Sequence, residues 1–262
     1  MKSISIKNEK ISSRQELFVF VLIRLGAVLS SPSVSLFRLA VELLTAALFS
    51  LFAALLVRRG LNVKAVKYLC SVGVLVLLVF DYLRLYAFLA SEVHSKLSPF
   101  VIMTLLLLAS VYAYFCGFEA VIRTALPLFF VGLVFVITAI ICSTKAFKVT
   151  YPEYNTPSLF IPYGALDIPL LYILMSDGTE GNRESALARG VLIPYAMTAV
   201  VYIACGLSMG NAAIYSEFPV QSLFQLEGLG SAVNLDVLFS SAYIMSLFFR
   251  SSLFLRTGVS KH

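Results

Sequence analysis

The chain has 262 residues, of which 60% are hydrophobic and 13% are charged, whereas soluble domains have roughly 45–50% apolar and about 25% charged residues. This composition excludes a disordered chain, a collagen and an ordinary soluble enzyme, and it predicts a polytopic membrane protein. The net charge of +6 is interpreted as topological, because Lys and Arg collect in cytoplasmic loops, and no nucleic-acid partner is expected.

Apolar runs separated by charged residues, proline and glycine predict eight transmembrane helices. In chain order they lie at 16–31, 35–57, 66–90, 98–116, 121–142, 159–176, 189–209 and 233–255. Polar loops are predicted at 143–158, 177–188 and 210–232, and the stretch VQSLFQLEGLG in the last of these is predicted to form a short interfacial helix. The chain 1–262 is therefore predicted to be one all-α membrane domain.

The distribution of basic residues predicts the orientation. If the polar segment 1–15 is cytoplasmic and the spans alternate, fourteen Lys and Arg residues lie inside and four outside, so both termini, including the tail 256–262, are predicted to be cytoplasmic. The start of the chain lacks the features of a cleavable signal peptide, and the first helix is expected to remain as an anchor. The cysteines have no metal-ligand spacing, so buried thiols and no metal or cofactor are expected at Cys70, Cys116, Cys142 and Cys205.

Helix-breaking residues interrupt two predicted helices that lie five spans apart. The first helix has Gly26 and Pro32, and the sixth has Pro162, Gly164 and Pro169. Many secondary transporters consist of two inverted five-helix repeats whose unwound first helices bind the substrate at mid-membrane. This spacing predicts a first repeat over 16–142, a partial second repeat over 159–255, and a site at the two breaks. Ordinary proline and glycine kinks are the alternative.

Ionisable residues inside membrane spans are costly and usually functional. They occur here at Arg24, Glu42, Asp81, Arg84, Asp167 and Asp236, with Arg250 near the inner end of the last span. Asp81 and Arg84 share a helix face and either form an internal ion pair or line a cavity. Asp167 would face a ligand amine or carry a proton, and Arg24 would attract a carboxylate or pair with an acid. Tyr82, one turn from Tyr86, is either a packing residue or part of a ligand wall.

Enzyme motifs are absent from the sequence. There is no Walker loop, no G-x-S-x-G, no H-E-x-x-H and no dinucleotide fingerprint. The aspartates in the predicted spans lack the flanking motifs of intramembrane aspartyl enzymes. A non-enzymatic membrane protein is therefore expected, with ligand-binding residues at Arg24, Gly26, Ala27, Tyr82, Tyr163, Gly164 and Asp167.

Three segments of the sequence carry a recognisable pattern. The opening KISSRQELFVFVLIRLGAVLSSP has a polar segment ending in Gln15, then Gly26 and Pro32. The segment YAYFCGFEAVIRTALPLF has Gly117, Glu119 and Arg123 at a junction between two helices. The third segment is EFPVQSLFQLEGLGSAVNLDVLFSSAYIMSLFFRSSLFL. Together they resemble the spore-germination permeases, which are the B subunits of nutrient germinant receptors, and the third is similar to that family's long outer loop and eighth helix.

This resemblance implies the fold and function of the amino acid–polyamine–organocation transporters, with ten helices in two inverted repeats. It implies a nutrient such as an amino acid as ligand, a large soluble-domain subunit and a lipoprotein subunit as partners, and a spore inner membrane or cell membrane as location. The chain departs from the family in having eight predicted helices. Asn234 stands where the family has the arginine of an Arg–x–Asp pair, and Gly164 is followed by Asp167 where the family has Gly–x–Glu. Structural or gating roles are expected for Pro32, Asp81, Arg84, Glu119, Arg123 and Asp236.

The same residues are compatible with three functions. The first is a ligand-sensing receptor subunit, the second is an active transporter of amino acids or related solutes, and the third is a scaffold that binds no ligand.

Overall fold

The computed structural model describes residues 11–29, 35–59, 64–91, 98–145, 163–175, 179–180, 183–210, 212–216, 218–226 and 235–259. The helices are α1 (Ser13–Leu29), α2 (Leu36–Arg58), α3 (Lys64–Ser91), α4 (Pro99–Cys116), α5 (Phe118–Arg123), α6 (Ala125–Lys145), α7 (Asp167–Leu174), α8 (Arg183–Met209), α9 (Ala212–Tyr215), α10 (Pro219–Leu226) and α11 (Leu235–Val259). A 3₁₀ turn covers Tyr163–Ala165, and the two-residue strands β1 (Ile11–Ser12) and β2 (Thr179–Glu180) pair in parallel.

Local sequence signals account for several helix ends. The Ser35 hydroxyl caps α2 by accepting a hydrogen bond from the Arg38 backbone N–H at 3.4 Å. Pro99 begins α4, where its missing N–H costs no helical hydrogen bond. Gly117 separates α4 from α5 with a φ of 101°, a conformation that a residue with a Cβ atom rarely adopts.

Five helical segments are long and apolar enough to cross a membrane. They are Leu36–Arg58, Ala65–Ala90, Pro99–Cys116, Glu119–Thr138 and Glu184–Met209. Large apolar side chains point outward from them, as at Phe115, which is 77% exposed. An exterior of this kind fits an integral membrane protein surrounded by lipid. The described residues contain helices at all eight predicted positions, but only five meet this test, and the orientation and the inverted repeat stay predictions.

Helices α1, α7 and α11 form the interior of the molecule. Every residue of α1 from Val19 to Leu29 is buried, and this helix packs against α6, α8 and α11. Helix α11 also packs against α3 and α4, while α7 packs against α2 and α3. The apolar spans therefore surround helices that carry charged residues, which places those charges away from lipid.

The predicted short helix in the 210–232 loop is present as α10, and it packs on the helix bundle, while its position at the membrane interface stays a prediction. Val220, Leu223 and Phe224 are buried, and α10 packs against α6, α8 and α11. The Phe224 ring stacks on Phe135 of α6 with centroids 4.8 Å apart and lies 6.2 Å from Phe239 of α11. Aromatic packing of this kind stabilises α10 against α6 and α11.

The predicted break in the first helix at Gly26 is wrong. Helix α1 is continuous from Ser13 to Leu29, because Gly26 serves close packing: a Cβ atom there would lie 3.3 Å from Ser246 Oγ on α11. In the predicted sixth helix, a 3₁₀ turn at Tyr163–Ala165 and a bend precede α7, which begins at Asp167. The residues of this predicted helix before Tyr163 are outside the described part of the chain, so a break at Gly164 stays a prediction. Pro169 does not break this helix, since it lies in the first turn of α7, where no helical donor is lost. Pro32 and Pro162 lie outside the described residues.

Three smaller expectations also need correction. Helix α8 begins at Arg183, so part of the predicted 177–188 loop is helical. The predicted fifth helix is divided into α5 and α6. Cys70 and Cys205 are buried as predicted, but Cys116 is exposed, because it ends α4 on the outer surface. The side chain of Cys142 lies outside the described residues.

Candidate functional site: two buried charge clusters

The first cluster joins three helices around Arg24, which is 3% exposed. Its guanidinium group donates to the Glu42 carboxylate of α2 and forms an ion pair with it. The Tyr195 ring of α8 lies 4.2 Å from the Arg24 guanidinium carbon, which allows a cation–π interaction. The Tyr195 hydroxyl donates to the Glu42 backbone carbonyl at 3.3 Å. Arg24, Glu42 and Tyr195 are called the Arg24 cluster.

The 3₁₀ turn before α7 lies directly against the Arg24 cluster. A Cβ atom at Gly164 would be 2.7 Å from Arg24 Nη1, 3.9 Å from Glu42 Oε2 and 3.9 Å from Ala27 Cβ. Glycine therefore allows the interrupted backbone to approach the guanidinium group. The predicted site residues Arg24, Ala27 and Gly164 are in this way brought together.

We expect Gly164→Ala to act through Arg24. The added methyl group would displace the guanidinium group of Arg24 and weaken the ion pair between Arg24 and Glu42. The destabilisation by Gly164→Ala should therefore largely disappear in the Arg24→Met background. A coupling free energy of about 1 kcal/mol or more is expected in a double-mutant cycle, measured by thermal unfolding in detergent. Gly26→Ala is the control, since its nearest neighbour is Ser246, and it should show no coupling to Arg24→Met. Additive effects for Gly164→Ala would contradict this geometry.

The second cluster is centred on Arg250 of α11, which is 1% exposed. Arg250 Nε donates to Asp81 Oδ2 of α3 at 2.5 Å. Arg250 Nη1 donates to Asp167 Oδ2 of α7 at 2.7 Å and to the backbone carbonyl of Ile23 in α1 at 2.9 Å. The planar five-donor guanidinium group is suited to binding several acceptors at once. Arg250, Asp81 and Asp167 are called the Arg250 cluster, and it connects four helices.

The two clusters are adjacent at the centre of the helix bundle. Arg24 directly follows Ile23, whose carbonyl binds Arg250, and a Cβ atom at Gly26 would lie 3.6 Å from Arg250 Cδ. Gly164 and Asp167 are only three residues apart, and they contact the Arg24 and Arg250 clusters respectively. The segment from the 3₁₀ turn to Asp167 thus contacts both clusters, and its role as a ligand site stays a prediction.

Three buried polar atoms in these clusters have no hydrogen-bond partner within the described part of the chain. They are Asp167 Oδ1, Arg250 Nη2 and Arg24 Nε. Buried polar groups nearly always have a partner, and exceptions indicate a water, an ion or a functional role. One acceptor and two donors are therefore left without a partner among the described residues of the two clusters.

The sequence missed part of this site. Asp81 was expected to act with Arg84 on one face of α3, and the structure adds Arg250 of α11 as an ion-pair partner of Asp81. Arg250, predicted near the inner end of the last span, is buried inside the protein, where it contacts residues of α1, α3 and α7. Glu42 and Arg250 could be noticed in the sequence because they are charged residues inside predicted spans. Tyr195 had no signal, since one tyrosine in an apolar helix is unremarkable in sequence.

Other predicted residues lie apart from the clusters or are not described. Glu119 and Arg123 form an i, i+4 ion pair on α5 with side chains 54% and 72% exposed, so this pair contributes little to stability. Tyr82 is half-buried against the core, whereas Tyr86 is exposed, so the two rings lie in different surroundings. The side chains of Tyr163 and Asp236 lie outside the described residues.

Comparison with known families and with curated proteins finds no match for this chain. The sequence motifs alone carry the resemblance to spore-germination permeases.

Proposed function

We propose that this protein is the membrane subunit of a nutrient germinant receptor, of the spore-germination permease type, and that it binds an amino acid or a similar small nutrient. The observation that carries the proposal is the unpartnered Asp167 Oδ1, buried beside the interrupted helix and close to two arginines. Binding would occur among α1, α7 and α11. The assignment to this family is supported by the motifs near the first, fifth and eighth predicted helices.

The polar atoms at the two clusters are suited to a zwitterion. A ligand ammonium group would bind Asp167 Oδ1, and a ligand carboxylate would bind Arg24 Nε or Arg250 Nη2. A zwitterion adds no net charge, so its burial requires no further counter-ion. This chemistry corresponds to a free amino acid.

Signalling requires that the ligand bind two conformations with different affinity. In the proposed receptor, a ligand that binds Asp167 Oδ1 would alter the ion pair between Asp167 of α7 and Arg250 of α11. The soluble-domain and lipoprotein subunits would respond to this change. The membrane would be the spore inner membrane or the cell membrane, with both termini in the cytoplasm.

The binding test is a thermal-stability screen of the purified protein with the common amino acids. We expect at least one of them to raise the melting temperature, because a ligand that binds only the folded state stabilises it. Asp167→Asn should abolish the increase, whereas Glu119→Gln, on the exposed pair of α5, should retain it. Absence of an increase with every amino acid, or its persistence in Asp167→Asn, would contradict the proposal. Gradient-driven uptake into proteoliposomes would instead identify an active transporter.

A scaffold that binds no ligand is the second candidate, and one observation favours it. The charges in both clusters already pair with each other, because Arg24 binds Glu42 and Arg250 binds both aspartates. Such pairs can have a purely structural role, in which they fix the packing of helices. Co-purification with the other receptor subunits, unchanged by Asp167→Asn and without any ligand effect, would favour the scaffold.

A further inference from the structure

A groove with a volume of about 580 Å³ lies between α2 and α8 on the outer surface. The two helices touch at one end, where Tyr195 bonds to the Glu42 carbonyl. The lining residues are Leu43, Leu44, Ala47, Ser50, Leu51, Ala54, Leu55 and Arg58 of α2 and Glu184, Leu187, Ala188, Val191 and Leu192 of α8. Apart from Ser50, its polar residues are confined to the end with Arg58 and Glu184.

The length of the groove matches one leaflet of a bilayer. It extends from Leu43 to Arg58 along α2, which at 1.5 Å per residue is about 22 Å. Half of a bilayer, including its headgroup region, is about 20–22 Å thick. A helix of another protein would cross both leaflets, so the groove fits an occupant that belongs to one leaflet.

The two charges at the open end have opposite signs. Arg58 and Glu184 are both exposed, and neither forms an ion pair within the described residues. A headgroup with a phosphate and a primary ammonium group complements both, since the phosphate would accept hydrogen bonds from Arg58 and the ammonium would donate to Glu184. A purely anionic headgroup would be repelled by Glu184.

From these observations we infer that the groove between α2 and α8 is a binding site for one phosphatidylethanolamine molecule. One acyl chain lies along the apolar lining, and the headgroup binds Arg58 and Glu184. This site is separate from the charge clusters, which line none of the groove.

The inference predicts selective lipid retention, which native mass spectrometry of the protein released from detergent micelles can measure. After incubation with equal amounts of phosphatidylethanolamine, phosphatidylcholine and phosphatidylglycerol, one bound phosphatidylethanolamine should exceed each of the others at least tenfold. Phosphatidylcholine is the critical comparison, because its quaternary ammonium cannot donate a hydrogen bond to Glu184.

Matched variants identify the site. Arg58→Gln and Glu184→Gln should each reduce the retained phosphatidylethanolamine at least fivefold, whereas Arg59→Gln, the neighbouring exposed arginine outside the lining, should not. Ala47→Phe should fill the groove and reduce retention, while Ala109→Phe on the exposed surface of α4 should not. These positions are exposed, and circular dichroism checks that each variant remains helical.

Equal retention of the three lipids, or equal effects of target and control variants, would indicate surrounding lipid only and overturn the inference. A second copy or another protein in place of lipid would also overturn it.

Discussion

Replacing Arg250 with glutamine should lower the free energy of unfolding by about 3–5 kcal/mol, the usual cost of removing one member of a buried ion pair. The substitution leaves Asp81 and Asp167 without their guanidinium partner at positions only 4% and 1% exposed. It also removes a hydrogen bond to the Ile23 carbonyl. Denaturant unfolding in a defined detergent, followed by circular dichroism, measures the change.

Two further variants separate the charge of Arg250 from its geometry. Arg250→Lys keeps the charge but cannot reach both carboxylates and the Ile23 carbonyl with a planar fork, so an intermediate loss is expected. The triple variant Asp81→Asn, Asp167→Asn, Arg250→Gln removes the unpaired charges and should recover part of the stability lost in Arg250→Gln. A loss below about 1 kcal/mol for Arg250→Gln would be incompatible with a buried ion-pair cluster.

Gly190→Ala should lower the free energy of unfolding by about 1–3 kcal/mol, which is typical of overpacking a filled core. A Cβ atom at this position of α8 would overlap the Phe20 ring of α1, and Phe20 is completely buried. The clash exceeds the gain of up to about 1 kcal/mol that alanine brings to a helix. Thermal unfolding of the purified protein measures the balance.

The rescue variant tests whether Phe20 causes the Gly190 effect. Phe20→Leu should reduce the cost of Gly190→Ala, because the smaller side chain leaves room for the methyl group. Gly73→Ala is the control within α3, since its Cβ atom would meet the flexible end of Leu170 at 3.3 Å. A stable Gly190→Ala protein would mean that α1 and α8 are less closely packed than described.

The positions of the helices could be predicted because each apolar run is a local property of the chain. Long apolar runs bounded by charge or proline identified α2, α3, α4 and α8. Most of the predicted helix ends lie within a few residues of the observed ends. Continuity was harder to predict, because it depends on neighbours. Gly26 weakens a helix on its own, but in the folded protein it allows α11 to approach α1, and the helix continues.

The candidate site could be predicted only in part, for the same reason. Arg24, Gly164 and Asp167 stood out as charged or helix-breaking residues in apolar runs. Their partners did not, because the contact of Asp81 with Arg250 joins residues 169 positions apart. Local spacing favoured Arg84 instead, only three positions away. The pairing of charges between distant helices is a tertiary property that one sequence does not encode in any short pattern.

The location of Arg250 has a consequence for biosynthesis in the membrane. Asp81 and Asp167 belong to helices made before α11, and Arg250, the partner both share, is 83 positions beyond Asp167. A charged residue at the centre of an isolated spanning helix costs about 2.5–3.5 kcal/mol on insertion scales. Asp81, in the spanning segment Ala65–Ala90, therefore lacks its Arg250 partner until α11 has been made. We expect the bundle to reach its final packing only after α11 is synthesised.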